Sequence, residues 1–307
     1  MGGGAVTFCM AKFIVSVDNT ADYFKSFMDA NGIYYLPLKR IMGGNEYIDF
    51  FDTAGEFEAF YDEIKKGAKP TTSQINPDEF IKHFNAILAK EKTGDIVHIS
   101  LSSGLSGSHN SAVMAANEIN PTLKGRKIYA FDSLTVSGAI QMQVDKFLAL
   151  RDTTTAESAI EIVTKIRDNQ HLFFLVDDLF HLKRGGRISA GKAIIGSLLG
   201  IKPVIIMNLY GKLAIIDRVR GLKKALEYFE NILNDYAVEK GHDFAGETLS
   251  LFCSTKGEFY EMMRDMILRK YPKAVLKENL LGSVIGSHVG CGAVAISFTG
   301  KPRLDKQ

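Results

Sequence analysis

Apolar positions along the first half of the chain gather into short runs separated by longer stretches of helical period. The runs "KFIVSVD", "IYYLPL", "DIVHISL" and "RKIYAFDS" read as strands, while "ADYFKSFMDANG", "AGEFEAFYDEIKKG", "PDEFIKHFNAILAKEKTG", "LSGSHNSAVMAANEI" and "SGAIQMQVDKFLALRD" read as helices. Such β-α alternation predicts a parallel, Rossmann-like sheet covered by helices. The second half opens with the amphipathic helix "AESAIEIVTKIRDN", the strand "HLFFLVDD" and the glycine-marked turn "HLKRGGRIS". Two apolar segments around a turn at Asn208 to Gly211 then predict a β-hairpin. A long helix from about Leu222, the strand "ETLSLFCS", another helix and "GAVAISF" follow, which predicts a mixed sheet. The expected architecture is a two-domain α/β fold, a parallel-sheet domain over 11–155 and a mixed-sheet domain over 156–300. No Pro/Ser-rich linker separates them, so close packing is expected.

Composition narrows the function. The chain has 307 residues, 46% hydrophobic and 23% charged, with a formal charge of +2, so it has no general attraction for nucleic acid and any basic patch is local. Cys9, Cys253 and Cys291 are odd in number and far apart, without CxxC spacing. This argues against a disulfide framework or a zinc site and for a reducing, cytoplasmic setting. No apolar run reaches the length of a membrane span, and the opening "MGGGAVTFCMAKF" lacks the pattern of an export signal. The Gly-rich residues before the first strand are left out of the fold argument.

Polar clusters fall at three predicted strand ends: Asp18-Asn19-Thr20, Ser100 to Ser108, and Asp132-Ser133. In open parallel sheets that is where ligands bind. "ISLSSGLSGS" packs five serines and two glycines into ten positions. As a nucleophile elbow its second glycine comes one place early, and as a phosphate loop it lacks the Gly-Lys-Ser/Thr ending. Ser106 is placed to cap the following helix, leaving hydroxyls near a helix start that suit a small anionic group or serve only as turn formers. "KPTTSQINPDEF" offers a second hydroxyl loop through Thr72 and Ser73. Two such loops fit a carboxylate held by neutral hydroxyls.

Two further features bear on chemistry. "HLKRGGRIS" sets Lys183, Arg184 and Arg187 around two glycines, a solvated turn or a contact for phosphate or a partner; Lys202, Arg218, Arg220, Lys223 and Lys224 extend the patch. His288 stands in the Gly-rich turn "GSVIGSHVGCG", where it can approach a ligand. None of the histidines has metal-binding spacing, so no metal is expected.

Taken in order, "VDNTAD", "PTTSQINPDEF", "ISLSSGLSGSHNSA", "AFDSLTVSGA", "LVDDLFHLKRGGRIS", "GSLLGIKPVI", "GKL", "RVRGLKKAL" and "IGSHVGCGAVAISF" resemble the DegV family over nearly the whole chain. The resemblance implies a bacterial lipid-binding protein of two α/β domains, with a long-chain fatty acid in an apolar tunnel. It implies Thr72, Ser73, Ser102, Ser103 and His288 as the residues that hold the carboxylate. Arg184 and Arg187 look like the surface that meets a partner or an acyl phosphate. Three positions depart from the usual family pattern: Asn19 within Asp-Ser-Thr, Ser108 within Ser-Gly-Thr, and Cys291 where the C-terminal turn carries proline.

The expected function is therefore non-enzymatic: a carrier that contacts the membrane surface transiently, shields a fatty acid and presents its carboxylate to the catalytic subunit of a fatty acid kinase. Apart from the fatty acid itself no cofactor is expected. The rivals are an acyl-ester serine hydrolase and a lipid-responsive regulatory protein.

Overall fold

The computed structural model describes residues 13–48, 51–177, 179–188, 200–240 and 243–303. The glycine-rich residues with Cys9, positions 11–12 and Ser189 of the basic turn lie outside them. The first half runs β1 (Phe13–Asp18), α1 (Lys25–Ala30), β2 (Tyr34–Leu36), β3 (Lys39–Met42), β4 (Asn45–Tyr47), α2 (Ala54–Lys65), β5 (Thr71–Ser73), α3 (Pro77–Lys90), β6 (Asp95–Ser100), α4 (Ser108–Ile119), β7 (Ile128–Asp132) and α5 (Gly138–Leu150). The second runs α6 (Ala156–Asp168), β8 (Gln170–Leu175), α7 (Phe180–Arg184), β9 (Ile201–Met207), β10 (Leu213–Arg220), α8 (Leu222–Lys240), β11 (Thr248–Cys253), α9 (Glu258–Lys270), β12 (Val275–Leu280), α10 (Ser283–Val289) and β13 (Val294–Thr299).

Strands β2-β1-β6-β7 form a wholly parallel sheet. Its inner strand β1 is buried at every position, Ser16 and Asp18 included, as a strand covered on both faces is. Strands β10-β9-β8-β13-β11-β12 form a mixed sheet whose one parallel pair is β11 with β12. The expected hairpin is there: Asn208 Oδ1 accepts from the Tyr210 and Lys212 amides at 3.0 Å each and closes the turn between β9 and β10. Helix starts are fixed locally, as in α3, where Asn76 and Glu79 cap each other at 2.9 Å and Pro77 takes the first helical position.

A third sheet, β4-β3-β5, is small and antiparallel. It corrects the reading of "PTTSQ" as a loop: Thr71–Ser73 pair with β3, with Thr72 opposite Arg40. The basic turn also holds a short helix, α7, and His288 stands in the last turn of helix α10 rather than in a Gly-rich turn. Edge strand β12 is half-exposed along its length and gives no periodic apolar signal.

The two large sheets share one core. Ile96 of β6 and Phe80 and Phe84 of α3 join Leu172, Phe174, Phe252 and Ala295 of the mixed sheet in one buried cluster. Phe173, Leu175, Val294, Ile296 and Phe298 face the other way, against α8 and α9. Helix α6, the first element after residue 155, packs on α5 and behind the parallel sheet through Ala156, Ala159 and Val163.

Candidate functional site

Between the sheets lies an apolar slot. Leu172, Phe174, Phe252 and Ala295 of the mixed sheet form its floor, and Val284, Ile285 and Val289 of α10 form a wall. Its opposite side comes from Leu101, Leu105 and Val136, which follow β6 and β7. About 740 Å³ of space lies between these atoms, mouth included, of which the centre of a water-sized sphere reaches about 60 Å³. The slot is therefore narrow. It exists because β13 and the residue ahead of it turn small side chains, Ala295 and Ala293, toward it and large ones away from it. In a close-packed interior, that asymmetry leaves a channel.

Polar atoms collect at one place on its wall: Thr72, Gln74, Ser106, Arg187 and His288. Thr72 Oγ1 and His288 Nε2 are 2.8 Å apart, joining β5 to α10 across 216 positions of sequence. Burial, reinforced by Arg187 and Arg184, pushes the His288 imidazole down to about 4, so it is neutral near pH 7. Its buried Nδ1 has no hydrogen-bond partner. Gly185 allows this approach, since a Cβ there would lie 2.2 Å from Nδ1. Gly107 does the same for Gln74, whose Oε1 would be 2.4 Å from an added Cβ. Arg187 is tied by Nε to the Leu105 carbonyl at 2.9 Å and by Nη1 to the Gly185 carbonyl at 2.5 Å. The arrangement offers hydroxyl, amide and guanidinium donors to an anion at the edge of an apolar channel.

The serine loop has a different part. Asp18 accepts from the Leu101 amide at 2.7 Å and Asp132 from the Ser103 amide at 3.1 Å, so two of the expected strand-end clusters pin the third. Burial raises the Asp18 carboxyl, against the pull of those hydrogen bonds. Ser102 is fully buried, donates to the Gly211 carbonyl at 2.7 Å and accepts from the Gly104 amide at 3.2 Å. Ser102, Ser103 and Ser73 are not among the slot-lining side chains. Ser106 lines the slot and accepts from the Ser108 amide at 3.2 Å, but it stands one place ahead of the N-cap of α4, which is Gly107 and has no side-chain cap, so the expected capping by Ser106 is not made. Arg184 lies behind His288, donating to the Ser287 carbonyl at 3.1 Å. Lys202 of the wider basic patch is paired with Asp177 at 2.7 Å.

Gln74 escaped the sequence reading although it sits between the hydroxyl pair and the capped helix. An amide two residues beyond Thr72 is a usable signal once β5 is seen to be a strand, because alternate residues share a face. Asn19, one departure from the family pattern, holds Leu38 of the slot wall through both its amide atoms, at 3.2 and 2.9 Å. Ser108 accepts from the Ile75 amide at 3.2 Å, and Cys291 Sγ reaches the Tyr61 carbonyl at 3.5 Å. Serine–histidine contacts occur away from the slot, where Ser16 Oγ bridges His83 and His98 at 2.8 and 2.9 Å. No group of three or more His, Cys, Asp or Glu side chains suited to a metal occurs among the described residues. No helix among them is long and apolar enough to cross a membrane.

Residues 12–301 match the family model described as "Uncharacterised protein, DegV family". A DegV domain-containing protein of Clostridium perfringens is 34% identical over 295 residues, which is 95% of this chain and 98% of that one. Among solved structures, DegV of Bacillus subtilis, a fatty acid binding protein, shares 27% identity with a TM-score of 0.80, covering 95% of this chain and 100% of its own. A DegV family protein of Thermus thermophilus, described by its fatty acid binding, shares 26% identity with a TM-score of 0.81, covering 94% and 99%.

Proposed function

The chain belongs to the DegV family, and on that premise we propose that it binds a long-chain fatty acid in the slot and presents the carboxylate to a separate kinase. The observation that carries this reading is the juxtaposition of Thr72 and His288 on the wall of an apolar channel. The fatty acid binding described for the relatives from B. subtilis and T. thermophilus supports it. Thr72 Oγ1 accepts a hydrogen bond from His288 Nε2–H and turns its own O–H toward the carboxylate. Ser106, Gln74 and Arg187 supply the remaining donors. His288 is then a positioning residue that fixes the Thr72 rotor.

Binding is driven by the chain and oriented by the head. A dozen buried methylenes gross about 10 kcal/mol at ~0.8 kcal/mol each, before ordering costs. The head-group bonds add about 1 kcal/mol apiece. No nucleotide loop occurs in the sequence, so phosphorylation belongs to the partner, and this chain contributes position. Arg187, at the polar end of the slot, and Arg184 behind His288 are the groups we assign to the partner or to the acyl phosphate.

The test begins with mass spectrometry of the organic extract of the purified protein, followed by calorimetric titration of delipidated protein with C14 to C20 acids. Saturable binding that weakens in Thr72→Val supports the reading. Absence of binding to every acid sinks it, and turnover of a chromogenic ester lost in Ser106→Ala favours a hydrolase instead.

A further inference from the structure

Beside β12 lies a second cleft, which shares no lining residue with the slot. It is the wider of the two, giving about 470 Å³ to the centre of a water-sized sphere. Four consecutive residues of β12, Lys277 to Leu280, line it. Successive side chains of a strand point to opposite faces, so a cleft that meets all four lies off the strand's edge rather than over one face. The flanking ion pairs agree: Lys277 is held by Asp145 of α5, and Glu278 by Arg264 of α9 at 3.1 Å. Charged side chains ordinarily guard an edge strand against pairing. Here both are drawn aside.

The edge itself is open. Strand β12 ends the mixed sheet, and no described strand pairs with its outer side. On its inner side the Val275 and Leu281 amides donate to the Glu247 and Cys253 carbonyls at 2.8 Å each. With the parallel register of β11 and β12, the odd-numbered residues therefore bond to β11, and Leu276, Glu278 and Leu280 turn their N–H and C=O groups outward. Also lining the cleft are Tyr23 and Phe27, stacked at 4.8 Å, and Phe24, edge-on to Phe57 at 5.9 Å. Phe24 and Phe27 are 42% and 38% exposed, and exposed rings gathered in one place mark a contact surface. Lys256, over the Tyr260 ring at 5.7 Å, lines the cleft without an ion pair among the described residues. Asn279 Nδ2 is a buried donor with no hydrogen-bond partner.

We propose that this cleft receives an extended, acidic peptide segment of a partner protein, which adds to β12 as a further strand. Backbone bonds to Glu278 and Leu280 supply affinity, and pockets for alternate side chains supply specificity. A large apolar side chain of the segment lies among Phe24, Phe27 and Phe57, and a carboxylate beside it meets Lys256. The sign of the charge follows from what is already satisfied. The three acids of the cleft are engaged, Asp22 by Ser137 and the Gly282 amide, Asp145 by Lys277 and Glu278 by Arg264, whereas Lys256 is not. Nothing in this surface depends on what the slot holds.

The experiment titrates the full chain into labelled seven-residue peptides of alternating valine and threonine, with one phenylalanine and one glutamate moved through all positions. A subset is expected to bind saturably, and lysine in place of the glutamate to weaken it about tenfold. N-methylation of every second peptide amide should abolish binding in one phase and spare it in the other, a readout that needs no protein variant. Glu278→Pro removes an outward N–H without touching the β11 ladder, and Glu278→Ala removes the same side chain but keeps that N–H. The proline variant should bind about tenfold more weakly than the alanine variant. Failure of every peptide to bind, indifference to the phase of methylation, or equal binding by the two variants overturns the added strand. Dimerisation of the chain in sedimentation, lost in Glu278→Pro, assigns the edge to a second copy and overturns the partner segment.

Discussion

Thr72 and His288 are the residues on which the head-group argument turns, and each is testable alone. Thr72→Val keeps the shape of the side chain and removes its hydroxyl; fatty acid affinity is expected to fall about tenfold, as measured by titration. Gly185→Ala would set a methyl 2.2 Å from His288 Nδ1. It should push the ring off Thr72 and weaken binding by a similar factor, at a cost of about 1 to 3 kcal/mol in stability from the overpacking. Other histidines report on stability. Burial lowers the His83 pKa from 6.5 to about 4, and His98 falls further. Between those values the unfolded chain holds a proton that folded His83 does not, so stability is lost as pH falls from 6.5 toward 4, at about 1.4 kcal/mol per unit. Asp22, raised to about 8, has the opposite slope above 3.8. The measurement is therefore the difference between wild type and His83→Gln, which should shrink steadily from pH 6.5 to pH 4. At this scale the sequence exposed Thr72 in a hydroxyl cluster and His288 and Arg187 beside glycines, and all three line the slot. It could not separate Thr72 from Ser73, or Ser106 from Ser102, because neighbouring hydroxyls differ only in the way the backbone turns them.

Among the elements, β13 and α10 shape the slot. Ala295→Phe places a ring where the channel runs, and it is expected to abolish binding of C16 and longer acids. The folded state should pay about 1 to 3 kcal/mol for the overpacking, read as a lower denaturation midpoint. Shorter acids that still bind would show that the channel is blocked at one depth rather than collapsed. The long elements were plain in the sequence: α3 with its Asn76–Glu79 capping box, α4, α5 and the β9–β10 hairpin all stand where the apolar period and turn residues put them. The short ones were not. Strand β5 has three residues and α7 five, too few for any period to show, and β12 is an edge whose exposure masks its alternation. These elements are held by neighbours, as β5 is by β3 and α10 is by β5, β3 and α7.

For the whole molecule, the shared core between the sheets predicts one cooperative unfolding transition, seen at the same temperature by near- and far-UV circular dichroism. Fatty acid at about 100 times its Kd should add about 2.7 kcal/mol to that stability and raise the transition accordingly. Two separate transitions, or a transition indifferent to ligand, would contradict this account of where the ligand sits. The sequence by itself determined the α/β class, the parallel and mixed sheets, the family and the residue types at the site. The class and the sheets follow from local periodicity and turn chemistry, which act over a few residues, and the family from the order of motifs along the chain. Only the tertiary structure decided that Thr72 meets His288, that Ala293 and Ala295 leave a channel, and that Ser102 serves the hairpin instead of the slot. Each depends on segments 100 or more positions apart meeting in space, and what they then form is set by packing volume, to which no local pattern refers.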